Sequence, residues 1–131
     1  MDSASRFFWL LACFLFSETK AAPLLAGAAK VDITDERGPV NDRLYVRALV
    51  LKSGGTTAVL VSIDAVAIGG IGHIKDDFLP NVRAKLQKEL GIPPGNTLFN
   101  ASHCHGLVHP EVEARTVGAV RAAMKNLVPV K

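Results

Sequence analysis

The run Ser102-His103-Cys104-His105-Gly106 sets two imidazoles two residues apart, directly after an apolar segment that reads as a β-strand. On an extended backbone, positions i and i+2 project from one face, so both rings are expected to point into one space at the strand's end. A neutral imidazole offers one lone pair to a metal, and two on one face can share an ion or address a polar substrate. Zinc takes about three or four protein ligands, so the pair alone does not complete a zinc site. The plainer reading is two loop histidines that hydrogen-bond locally. His109 follows soon after, where Pro110 and a helix start are expected to turn it aside, and His73 reads as a surface residue of a Gly-rich loop. Cys104 is expected on the face opposite both rings, where neither readily takes its proton. It reads as a small buried hydrophobe, with a thiol hydrolase as the weaker alternative. No G-x-S-x-G elbow surrounds Ser102. Asp64 ends an apolar strand, on the side where open α/β sheets gather their sites. It is expected either to orient a metal-bound histidine through its carboxylate or to cap a loop.

The elements that must position these residues follow from periodicity. Ala28 to Thr34 reads as a short strand, and the polar stretch Asp35 to Asp42 as a loop. In the next strand, Leu44 to Lys52, one face carries Leu44, Val46, Ala48 and Val50. The other starts with Tyr45 and Arg47 and turns apolar at Leu49 and Leu51. Ser53-Gly54-Gly55-Thr56 is expected to be a hairpin turn, its glycines supplying positive φ. Ala58 to Ile63 is apolar on both faces and reads as a central strand, with Asp64 at its carboxyl end. A glycine-bearing loop follows, from Ala65 to Ile74.

Phe78, Val82, Leu86 and Leu90 then form a helical stripe that Gly91 should end. Thr97 to Ala101 is a strand that delivers the histidine pair. Pro110 is expected at the first position of a second helix, whose stripe is Val112, Thr116, Val120, Ala123 and Leu127. Val128 to Lys131 looks like a further strand beginning. The order predicts an α/β fold, a layered mixed β-sheet with helical crossovers. A sheet laid down in this order normally continues, so the chain is expected to be the incomplete N-terminal portion of a larger domain.

The 131 residues suit one domain at most. Arg6 and the apolar block Phe7 to Phe16 have the layout of a secretory signal, too short to span a bilayer as a helix. Small residues before the end of Thr19-Lys20-Ala21 place the expected cleavage after Ala21. That divides the chain into a signal peptide, residues 1–21, and a mature segment, residues 22–131, secreted or periplasmic. Lipoprotein processing at Cys13 is the lesser alternative. Without Cys13, the single remaining thiol, Cys104, excludes an internal disulfide framework. The formal charge of +3 is mild and dispersed, and aromatics are few, which argues against nucleic acid as a partner.

Several segments together resemble the neutral/alkaline non-lysosomal ceramidases. Ala26-Gly27-Ala28-Ala29-Lys30-Val31-Asp32-Ile33-Thr34 is similar to their opening strand. The likeness continues through Leu44 to Leu51, Val59 to Asp64, Leu90 to Asn96, and Ala101-Ser102-His103-Cys104-His105-Gly106. The family typically shows a Thr-His-Thr-His-Ser-Gly run at the last place. The resemblance implies a segment, residues 22–131, of a zinc-dependent amidohydrolase that cleaves the amide of N-acylsphingosine or a related lipid. Zn2+ would act as Lewis acid and generator of hydroxide. His103 maps onto a zinc ligand, and His105 onto a catalytic, substrate-contacting residue. The family's other ligands have no counterpart in this sequence, so the chain alone is expected to be inactive. A lipid substrate also implies contact with a membrane surface. Cys104 and Gly106-Leu107-Val108 depart from the family pattern, as does the short loop after Thr34, and mark a divergent branch. A non-catalytic exported α/β module is the competing reading, as is a metal-dependent hydrolase with another substrate.

Overall fold

The computed structural model describes residues 21–130, so the expected signal segment lies outside it apart from Ala21. The elements run β1 (Leu24–Asp32), β2 (Tyr45–Ser53), β3 (Thr56–Ile63), α1 (Phe78–Leu90), β4 (Thr97–Ala101), α2 (Val112–Lys125) and β5 (Val128–Pro129). One mixed sheet has the order β4-β3-β2-β1-β5. Its β1–β2, β2–β3 and β1–β5 pairs are antiparallel, and β3–β4 is parallel. The α/β class and the helical crossover before β4 are as expected.

Alternation decides which face each strand buries. Val46, Ala48 and Val50 of β2 lie opposite Ile63, Val61 and Val59 of β3, and all six are buried. Phe78, Val82 and Leu86 of α1 join this core, as do Val112, Thr116, Val120 and Ala123 of α2. Leu86 is fully buried, and truncating such a leucine to alanine costs about 2–5 kcal/mol. Gly91 ends α1 at φ 67°, donating its N–H to Gln87 O while Ile92 N–H reaches Leu86 O, so the last carbonyls are satisfied.

The opposite sheet face has no helix on it among the described residues. There, Ala28, Leu49, Leu60 and Leu98 form a row across four strands, and the three leucines are exposed. The adjacent row is polar: Lys30, Arg47, Ser62 and Asn100. This corrects the reading of β3 as central and apolar on both faces. It is an interior strand beside the middle one, and only its Val59, Val61 and Ile63 face is covered.

Three further expectations change. β1 starts at Leu24 and ends at Asp32, because Gly27 is part of the strand rather than a break before it. A Cβ at Gly27 would lie 2.2 Å from Ala123 O, so glycine is what lets α2 rest on β1. Of the two turn glycines only Gly54 has positive φ. The second helix begins at Val112, not Pro110: Val112 N–H closes a tight turn on His109 O, and His109 Nδ1 accepts the Glu111 N–H.

Candidate functional site

Parallel pairing of β3 with β4 brings Ile63 opposite Ala101, so the two chain segments that follow leave the sheet side by side. One carries Asp64 and the other carries the histidine pair. The pairing extends past both strand ends: Ser102 N–H donates to Ile63 O at 3.0 Å, and Cys104 N–H to Ala65 O at 3.1 Å. On its far side the histidine loop returns along the continuation of β1. Asp35 N–H donates to Leu107 O at 2.9 Å, and His109 N–H to Ile33 O at 2.7 Å. Gly106 is packed under Leu44, where a Cβ would come within 2.7 Å of that side chain. The loop is therefore held at both ends by backbone bonds, which is how a loop can present side chains with fixed geometry.

The backbone between these anchors is not extended. His103 has φ 62°, the left-handed conformation that residues other than glycine adopt at a steric cost. The expected alternation of faces consequently breaks at His103, yet the two rings still meet. Their centroids are 4.9 Å apart, edge to face at 84°. His103 Nδ1 lies 3.0 Å from Val66 O. A carbonyl only accepts, so Nδ1 carries the proton and Nε2 of the neutral ring keeps its lone pair. Cys104 is half-buried and packs against the core, in keeping with a small hydrophobe. Cys104 and His105 both border a small cleft.

Asp64 is placed at the site, but not against a ring. Its carboxylate accepts from Tyr45 N–H at 3.0 Å, from Arg47 Nη1 at 2.8 Å to each oxygen, and from Ser102 Oγ at 3.0 Å. The bond that fixes the His103 ring comes from the Val66 carbonyl instead. Burial raises the Asp64 pKa, but the Arg47 guanidinium, the Tyr45 amide and the Ser102 hydroxyl together outweigh it and hold the carboxyl below its usual range.

A cleft of about 470 Å³ opens beside His105. Val66, Ile71, Ile74 and Leu107 supply apolar wall, while Asp35, His73 and His105 supply polar groups. His73 and Asp35 are the residues that sequence reasoning missed here. Arg37 joins them, forking onto both Asp35 oxygens while its Nη2 stands 3.3 Å from His73 Nε2. An acid and a base two residues apart were the only signal, and such pairs are common in polar loops. His109 does turn aside as expected: its Nδ1 accepts from Glu111, and its Nε2 faces Arg115. Among the described residues no group of three or more His, Cys, Asp or Glu is close enough to hold a metal ion. None of the described helices is long and apolar enough to cross a membrane.

The carboxylates give the fold a pH dependence. Hydrogen bonds from the Arg37 side chain and amide hold Asp35 far below the usual carboxylate range. The Thr34 amide lowers Asp32, and Asp64 is lowered as described. A depressed native pKa adds stability that is complete above the unfolded value of about 3.9 and is lost as pH falls toward the native value. Urea midpoints are expected to be flat near neutrality and to drop below about pH 4. Asp35→Asn should make that drop shallower; an unchanged acid limb would contradict the assignment.

No family model matches the sequence, and no curated protein matches it. Solved structures do match. The fold is similar to neutral ceramidase from Pseudomonas aeruginosa, with a TM-score of 0.68 and 20% identity, covering 82% of this chain and 22% of that one. It is also similar to a ceramidase complexed with C2, with a TM-score of 0.59 and 21% identity over the same shares. The chain thus has a ceramidase-like fold and spans 22% of the length of each ceramidase chain it matches.

Proposed function

We propose that this chain forms one wall of the active site of a metal-dependent amidohydrolase acting on N-acylsphingosine or a related lipid amide. The observation that carries the reading is the His103 ring, whose Nδ1 is bonded to the Val66 carbonyl so that Nε2 is free as a lone-pair donor. Ligating histidines are usually oriented in this way, by a carbonyl or carboxylate on the other nitrogen. The ceramidase-like fold supports the same reading and supplies the reaction class.

Zn2+ is the metal this reading calls for, and the donor chemistry of His103 fits it. One imidazole with an open Nε2 is a single ligand, so the remaining donors must come from outside the described residues. When bound, zinc supplies a Lewis acid and a hydroxide nucleophile near neutral pH. The other roles belong to this chain's own groups. His105 borders the cleft, and in this reading it contacts the amide or its developing oxyanion. The apolar wall of Ile71, Ile74 and Leu107 suits a hydrocarbon chain and excludes water from it. The reading includes export by the segment of residues 1–21 and a substrate drawn from a membrane surface.

The test is hydrolysis of an N-acylsphingosine by whatever polypeptide carries this sequence, purified from its source. Chelation is expected to stop turnover, and added Zn2+ to restore it. Turnover that survives complete metal removal would refute the metal-dependent mechanism. Absence of turnover with zinc present would favour the non-catalytic module.

A further inference from the structure

We infer that Arg47 and Asp64 form a positioning device for His103, acting through the Ser102 hydroxyl. The site's unusual feature is that a β-branch-free but bulky residue, His103, is held at φ 62°. Such a conformation persists only where its surroundings over-determine it. The two neighbouring amides, Ser102 N–H and Cys104 N–H, are bonded to Ile63 O and Ala65 O. Those contacts are available to any residue types at these positions. The side-chain contact is not: Ser102 Oγ donates to Asp64 Oδ1 at 3.0 Å, immediately before the strained residue.

Asp64 is a rigid anchor for that bond. Its side chain is 13% exposed, and Arg47 Nη1 lies 2.8 Å from each of its oxygens. The Tyr45 amide, on the same strand as Arg47, donates to Oδ2 and leaves Oδ1 to Ser102. The Arg47 guanidinium is backed by the Tyr45 ring, with its centre 5.4 Å from the ring centroid. Groups from β2 thereby fix a carboxylate at the end of β3, and that carboxylate fixes the segment leaving β4. Its outcome is the ring setting of His103, with Nδ1 on Val66 O and the edge-to-face contact with His105. Asp64 thus acts on the histidine through backbone geometry, with no carboxylate–imidazole bond.

The importance of this device for catalysis rests on the metal-ligand reading of His103, whereas the device itself is tested without metal. The experiment is ¹⁵N–¹H correlation spectroscopy of the imidazoles in the full chain, comparing wild type with Ser102→Ala, Ser102→Thr and Arg47→Gln. Wild type is expected to show His103 as a single Nδ1–H tautomer. Ser102→Ala should give mixed tautomers with an unchanged unfolding midpoint, Ser102→Thr should restore the single form, and Arg47→Gln should give an intermediate mixture. In the polypeptide that carries this sequence together with the remaining donors, Zn2+ affinity, read by competition with a chromophoric chelator, should fall about 10–100-fold in Ser102→Ala and recover in Ser102→Thr. An unchanged His103 tautomer in Ser102→Ala would overturn the inference. A changed tautomer with unaltered zinc affinity, in the polypeptide that supplies the remaining donors, would uphold the device and refute the metal reading.

Discussion

His103→Asn is expected to reduce amide hydrolysis by more than the 10–100-fold typical of losing an outer partner of a metal ligand. Asparagine is the informative replacement because it tolerates the left-handed backbone that His103 occupies at φ 62°. It removes the imidazole lone pair while leaving the loop's conformation accessible, so lost activity cannot be assigned to an unfolded loop. The unfolding midpoint should therefore stay within about 0.5 kcal/mol of wild type. The loss should appear in kcat as well as kcat/KM if, as proposed, the group acts on the reacting centre rather than on uniform substrate binding. His105→Asn should retain bound zinc and lose turnover. Near-wild-type kcat in His103→Asn would remove His103 from the mechanism.

Gly27→Ala is expected to destabilise the fold by about 3 kcal/mol, at the upper end of overpacking costs. An added Cβ would meet Ala123 O at 2.2 Å and backbone atoms of Asn126 and Leu127 at 2.9 Å. All three neighbours are backbone at the end of α2, so no side-chain rotation relieves the clash. The helix must lift off β1, uncovering Ala123 and Val120, both fully buried. For a domain of this size the change corresponds to roughly 4 °C in Tm per kcal/mol. Gly55→Ala is the matched control, because nothing lies within 4 Å of its added Cβ and its φ is not in the left-handed range. Equal midpoints for the two variants would show that α2 is not seated as described.

Much of this architecture was legible where side chains alternate or recur. Val46, Ala48 and Val50 announced the buried face of β2, and Phe78, Val82 and Leu86 announced the buried stripe of α1. Gly91 was recognisable as a helix terminator because its position after a periodic segment has a single strong explanation. The start of β1 was not legible: a glycine inside a strand looks like an interruption until the helix that needs the space is in view. The site was readable in its residue types and not in its geometry. Nothing in Ser-His-Cys-His signals a left-handed residue, and the rings meet for a different reason from the extended spacing that suggested it. Asp64 was readable as a site carboxylate from its place at a strand end, but its partners depend on strand order, which local pattern does not encode. The meeting of His73 with Asp35 and Arg37 was unreadable because it joins loops from distant parts of the chain.

The mixed direction of the sheet also predicts an order of folding events. β1, β2 and β3 form an antiparallel meander, and β2 and β3 are joined by the two-residue turn at Gly54 and Gly55. Such contacts close short loops and form early. β4 joins in parallel only after the crossover that contains α1, and non-local pairing of that kind is slow. Arg47 and Asp64 belong to the early meander, whereas Ser102, His103 and His105 arrive with the late strand. The carboxylate anchor is thus expected to stand before the histidines reach it, so that the strained turn closes onto a finished template.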